Sequence, residues 1–152
     1  MVLAWLESTC VAQTVSGSLP LTASLSAAHL IGFTLVTGGA FVIHLRLAGA
    51  MLRRASVLDV ARPAGRLIAL GLAVSAVTGV LLFAGRASEI AANGIFQTKI
   101  SLIVIAVVWQ LTVQRRLTQT VMSAEGTRAV GVIGLALWLG LAVTACAFIL
   151  LE

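Results

Sequence analysis

Charge is scarce in this chain. Of 152 residues, 10% are Asp, Glu, Lys or Arg, against 60% that are hydrophobic, and mean hydropathy is +1.11. Soluble domains carry about 25% charged and about 45–50% apolar residues, so a water-soluble globular fold is excluded. Disorder is excluded too, because it needs low hydrophobicity and high charge. Cysteine is equally sparse. Cys10 and Cys146 are the only two, too few for a disulfide framework, and neither sits in the Cys-x-x-Cys of a zinc or thioredoxin-like site. The five carboxylates form no pair within an apolar run, as an intramembrane proton relay would need. There is no phosphate loop, and no nucleophile with a base beside it. Neither a hydrolase nor an ATP-driven pump is supported.

What the chain has is four apolar runs, at about residues 25–48, 67–84, 96–113 and 129–151. Each is long enough to cross roughly 30 Å of hydrocarbon at 1.5 Å per residue. None alternates apolar and polar residues as a barrel strand does. The expected fold is all-α, one integral membrane domain over residues 1–152, built as a four-helix transmembrane bundle in contact with the lipid bilayer. Residues 1–11 are apolar but short, contain Glu7 and lack a basic leader, so they do not read as a signal peptide. Cys10 follows Glu7-Ser8-Thr9, a poor match to a lipoprotein cleavage site. Val2, Leu3, Trp5, Leu6 and Val11 suit one side of a short interfacial helix with Trp5 at headgroup level. Residues 16–20 then bend into the first span.

The charges that exist are placed unevenly. Arg46, Arg53, Arg54, Arg62 and Arg66 lie between the first two spans, and Arg115, Arg116 and Arg128 between the last two. Eight of the ten basic residues thus share one side, leaving Arg86 and Lys99 with Glu7, Glu89 and Glu152 on the other. The positive-inside rule predicts both chain ends outside a bacterial inner membrane and both Arg-rich loops in the cytoplasm. The pI near 11.1 is then a topology signal, with anionic lipid as the partner of the basic loops, and nucleic-acid binding is not expected.

Small residues recur at four-residue steps: Gly71, Ser75 and Gly79 in span two, and Ala136, Gly140 and Thr144 in span four. Each row lies on one helical face and suits the close approach that helix association in lipid requires. One row is available for a homo-oligomer.

Ionisable groups inside a membrane are functional candidates by default. His29 falls about one turn into span one and His44 near its cytoplasmic end. Their fifteen-residue separation gives about 22 Å of rise and about 60° of rotation, so they face broadly alike but cannot share one metal ion. Two separate sites near the two surfaces are one reading, and di-haem b-type cytochromes use a similar spacing. Gly32, Gly38 and Gly39 lie between the histidines and would let a porphyrin approach. The plainer readings are a hydrogen-bonded bundle histidine for His29 and a headgroup-level one for His44. In span three, Lys99, Gln110 and Gln114 share a face. Lys99 either snorkels to the interface or faces the bundle beside His29, where it would act on the imidazole or bind an anionic group such as a porphyrin propionate. In the outer loop Arg86 and Glu89 are spaced to pair, and Asn93-Gly94 reads as a turn or cap before span three.

Several pieces together resemble an uncharacterised bacterial family of small four-helix membrane proteins: Trp5-Leu6-Glu7-Ser8, His29-Leu30-Ile31-Gly32, Leu45-Arg46-Leu47-Ala48-Gly49, Thr78-Gly79-Val80-Leu81-Leu82-Phe83, and Asn93-Gly94-Ile95-Phe96-Gln97-Thr98-Lys99-Ile100. The likeness runs to about Arg116. It departs at His44, where that family often has an acidic residue, and at Asn93-Gly94, where it often has Asn-Pro. More distantly, His29 early in span one and Lys99 opening span three are similar to CopD-like copper-resistance membrane domains and to HemJ-type protoporphyrinogen oxidases, which bind haem b. That resemblance implies a haem b or redox role with His29 as ligand, aided by Lys99, Gly32 and more weakly His44. Copper or other metal handling through His29 is the alternative, although Met51, Met122, Cys10 and Cys146 are scattered and Cu(I) prefers clustered sulfur. A non-catalytic subunit or scaffold of a membrane assembly is the third reading.

Overall fold

A computed structural model describes residues 2–119 and 124–151. The helices are α1 (Val2–Glu7), α2 (Cys10–Ser16), α3 (Leu19–Leu47), α4 (Val57–Ala84), α5 (Ala87–Ala92), α6 (Gly94–Gln119) and α7 (Ala124–Leu151), with no strand among the described residues. Four of them, α3, α4, α6 and α7, are long and apolar enough to cross a membrane. The protein is an all-α, four-helix integral membrane protein.

α4, α6 and α7 outrun their apolar runs at the Arg-rich ends, whereas α3 stops at Leu47. α4 starts ten residues before the expected span and carries Arg62, Pro63 and Arg66 within it. Ser56 starts it, its hydroxyl accepting from the Asp59 amide at 3.1 Å, and Asp59 suits the positive end of the helix dipole. Twenty-eight residues reach about 42 Å, so the basic turns stand clear of the hydrocarbon. α3 stops at a tight reversal. Gly49 adopts φ +74°, its amide donates to Arg46 O at 3.1 Å, and the Ala50 amide donates to Leu45 O at 3.0 Å. This is a Schellman-type end, which needs a left-handed residue and favours glycine.

The N-terminal segment is two short helices in place of the single one expected, broken at Ser8-Thr9 where the Thr9 hydroxyl accepts from the Ala12 amide. Of the residues expected to line one side, Val2, Leu3, Trp5 and Val11 are exposed and Leu6 is half-buried, while Ala12 and Val15 turn inward and are buried. These helices lie with α5 over one end of the bundle. Glu7 Oε1 accepts from the Ser88 amide of α5 at 2.7 Å, and Thr22 of α3 donates to Val15 O at 2.6 Å. Phe83 stacks on Phe96 across the same end, ring centres 5.5 Å apart. The expected Arg86–Glu89 pair is present, with Nε to Oε2 at 2.9 Å. So is the Asn93 cap, whose Oδ1 accepts from Ile95 and Phe96 amides at 2.8 and 3.2 Å.

Packing among the spans is unequal. α3 lies closely against both α4 and α7, α6 lies against α7, and α4 and α6 barely touch. The bundle is therefore an open ring in the order α4–α3–α7–α6. Its core is Val36, Ala40, Ile43, Leu47, Ile68, Ala106, Trp138 and Leu141 among others. Lipid is as apolar as these side chains, so close fit rather than water exclusion holds them.

Candidate functional site

The α3–α4 contact is made by missing side chains. A Cβ on Gly32 would fall 2.6 Å from Ser75 Oγ and 3.0 Å from Gly71 O, and one on Gly71 would fall 2.6 Å from Gly32 O. The Gly71/Ser75/Gly79 row, read from its spacing as a close-packing face, packs against α3. The space at Gly32 is thus filled by α4, and Gly32 serves helix approach instead of opening room for a porphyrin.

Near the α2/α5 end of this seam the row meets His29. A Cβ on Gly79 would come 3.0 Å from His29 Cε1, so glycine lets the imidazole lie flat on α4. His29 Nδ1 is 3.0 Å from Thr78 Oγ1. The Thr78 hydroxyl spends its one proton on Val74 O, 2.7 Å away, so it accepts from the ring and Nδ1 carries the hydrogen. Neutral imidazole has one N–H, which leaves Nε2 with a bare lone pair. Among the described residues Nε2 has no hydrogen-bond partner. Lys99, half-buried on α6, is the charge that acts on this imidazole. Lys99 is thus near enough for its charge to be felt at His29.

His44 is elsewhere and differently held. Its side chain is not presented to the surroundings: it is 0% exposed, enclosed between α3, α6 and α7. The physical reason is glycine on α7. A Cβ on Gly134 would overlap the His44 ring at 2.1–2.5 Å, and one on Gly131 would fall 2.4 Å from Ala48 N. Nε2 of His44 lies 3.0 Å from Gln110 Oε1. An amide oxygen only accepts, so Nε2 is the donor and Nδ1 is the bare nitrogen, buried without a partner. With Gly134 against its ring, His44 has no room for a group of porphyrin size. The Gly131/Gly134 face is also the one α7 turns inward. The Ala136/Gly140/Thr144 row turns outward, with Ala136 exposed and nothing within 4 Å of a Cβ on Gly140.

Two residues at these sites are new relative to the sequence reading: Thr78, and Gln110 as partner of His44. Thr78 sits beside Gly79 in the small-residue row, and a hydroxyl there is a usable signal. Among the described residues no three His, Cys, Asp or Glu side chains gather to hold a metal ion, and Cys10 and Cys146 are both exposed and free. Met122 and Glu152 lie outside the described residues.

Residues 4–149 match a family of unknown function, DUF6644. No curated protein matches the chain, and no solved structure does.

Proposed function

We propose that this chain, which belongs to the DUF6644 family of unknown function, is a haem-binding redox protein of the bacterial inner membrane, with His29 as the residue that would hold the haem. The observation that carries the reading is the Nδ1–H···Oγ1 contact from His29 to Thr78. Metal-ligating histidines characteristically donate their other ring N–H to an oriented acceptor, which fixes tautomer and ring direction. Here that leaves Nε2 as the free base. Lys99 supports the reading as a cation near the imidazole, suited to a propionate. Bound haem would supply one-electron chemistry, while Thr78 and Gly79 orient the ring and Lys99 offsets carboxylate charge. The chain's other histidine, His44, lies fifteen residues along α3, so His29 would be the one histidine of this chain to hold the group. Both chain ends face outside in this reading, following the arginine distribution.

The test is the absorption spectrum of protein purified without denaturation from a haem-replete host. The expected result is a Soret band that His29→Ala abolishes. A colourless wild type would overturn the reading. Copper or iron without porphyrin, lost in His29→Ala, would move it to metal handling.

A further inference from the structure

The open side of the ring, between α4 and α6, holds a cleft independent of His29. It is lined by Gly65, Ile68, Leu72, Gln110, Leu111 and Trp138 among others, and its cavity volume is about 60 Å³, room for a polar end group and not for a whole ligand. The walls are otherwise apolar, and three polar side chains, Gln110, Gln114 and Trp138, stand among them. Gln110 is 2% and Trp138 1% exposed, yet Gln110 Nε2 and Trp138 Nε1 have no hydrogen-bond partner. Both atoms are donors only. His44 holds the oxygen of the Gln110 amide, which fixes its orientation and leaves its N–H groups unspent. An unsatisfied N–H in hydrocarbon is costly, so two on residues that wall one lipid-facing cleft ask for an acceptor. Neither atom is open to the cleft as it stands, so an incoming acceptor reaches them through a small shift of the Gln110 and Trp138 side chains. Gly65 keeps the mouth clear: a Cβ there would come 2.8 Å from Gln114 Nε2.

We propose that the α4–α6 cleft is a binding site for an apolar molecule bearing a carbonyl oxygen, which enters sideways from the bilayer and accepts from Gln110 Nε2 and Trp138 Nε1. The polar end sits in the cleft, and the apolar body lies along Leu111 and the lipid-facing flank of α6. A quinone ring and a glycerolipid ester both present this chemistry.

Full-length protein in detergent micelles is titrated with a short-chain quinone, with a short-chain diacyl phosphatidylglycerol and with an alkane of matched size. The readout is the indole N–H resonance of Trp138, assigned by its loss in Trp138→Phe. A carbonyl-bearing ligand is expected to move that resonance saturably, and whichever of the two binds more tightly names the source. Gln110→Leu should weaken binding about tenfold, the scale of one lost hydrogen bond. Gly65→Leu, which touches neither donor, should block entry and covers the case in which Gln110→Leu does not fold. Equal effects of alkane and carbonyl ligands would overturn the proposal. So would an indole N–H that ignores both carbonyl ligands and cross-relaxes with a trapped water.

Discussion

His44 Nε2 lies 3.0 Å from Gln110 Oε1, joining α3 to α6 across a ring in which those helices otherwise have little to share. Both side chains are essentially unexposed. Hydrogen bonds between membrane helices average about 0.6 kcal/mol and reach about 1.7 kcal/mol in double-mutant cycles. The buried setting puts this pair toward the upper value. A cycle of His44→Phe and Gln110→Leu, read by equilibrium unfolding in mixed detergent, is expected to give that coupling, with the double variant less damaged than the sum of the singles. Additive losses would mean that the two groups do not hold each other.

Gly134 is the position where α7 comes closest to that pair. A methyl there overlaps the His44 ring, so Gly134→Ala has to push α7 away or displace the imidazole. Overpacking of this kind costs about 1–3 kcal/mol. Gly140→Ala and Gly38→Ala add a methyl to open space and should stay within about 0.5 kcal/mol of wild type. Unfolding midpoints of the three variants check the ranking. If Gly140→Ala proved the most harmful, the outward α7 face would be packed against something in the membrane.

The span count and the close-packing face of α4 were legible because both follow from one helix at a time: run length, and small residues four apart; that the partner is α3 was not. The Arg86–Glu89 pair and the Asn93 cap were legible because they are local. The faces of α7 were not. Ala136/Gly140/Thr144 and Gly131/Gly134 are both small-residue sets, and only the position of the His44 ring decides which turns inward. His44 itself illustrates the limit. Its place near the end of an apolar run suggested a side chain facing the headgroups, but the neighbouring α6 and α7 continue past their apolar runs as helix, and with Gln110 and Gly134 against the ring they bury it. The partnership with Gln110 was nearly within reach. In the sequence reading His29 and Lys99 share a depth; His44 lies fifteen residues beyond the first and Gln110 eleven beyond the second, a mismatch of about 6 Å that helix tilt and side-chain length absorb.

Glu89 gives a pH signature at the α5 end. The hydrogen bond from Arg86, and then its charge, hold the Glu89 carboxyl below the usual carboxylate range. A depressed folded-state value stabilises above the unfolded pKa and is lost as pH falls through the folded one. The pair is solvent-exposed, so the stability effect is small. The Glu89 side-chain carbon resonance should titrate below that of an unpaired glutamate, and Arg86→Gln should raise its midpoint. An unchanged midpoint would mean that the pair does not persist in solution.

Orientation is testable with the chain's own thiol. Cys10 is exposed at the end of the bundle that carries α5, opposite the Arg-rich loop between α3 and α4. In a Cys146→Ser background, a membrane-impermeant maleimide added to intact spheroplasts should label Cys10. Arg53→Cys in a background lacking both native thiols should label only after permeabilisation. The reverse pattern would invert the positive-inside assignment.

The Thr78–His29 contact makes a prediction that does not require any bound group. Because the Thr78 hydroxyl donates to Val74 O, it can only accept from the ring, and the neutral imidazole has to carry its hydrogen on Nδ1. Nitrogen-15 spectra of histidine-labelled protein, with His44→Phe to leave one histidine, should show a protonated Nδ1 and a bare Nε2. Thr78→Ser keeps an acceptor and should keep that tautomer, whereas Thr78→Val removes it and frees the ring to exchange tautomers. If His29 ligates haem, the same valine substitution should weaken haem retention by about 10–100-fold, the usual cost of losing an orienting partner, while the serine variant holds close to wild type. A wild-type ring protonated on Nε2 would remove the free base on which the ligand role depends, whatever the colour of the purified protein.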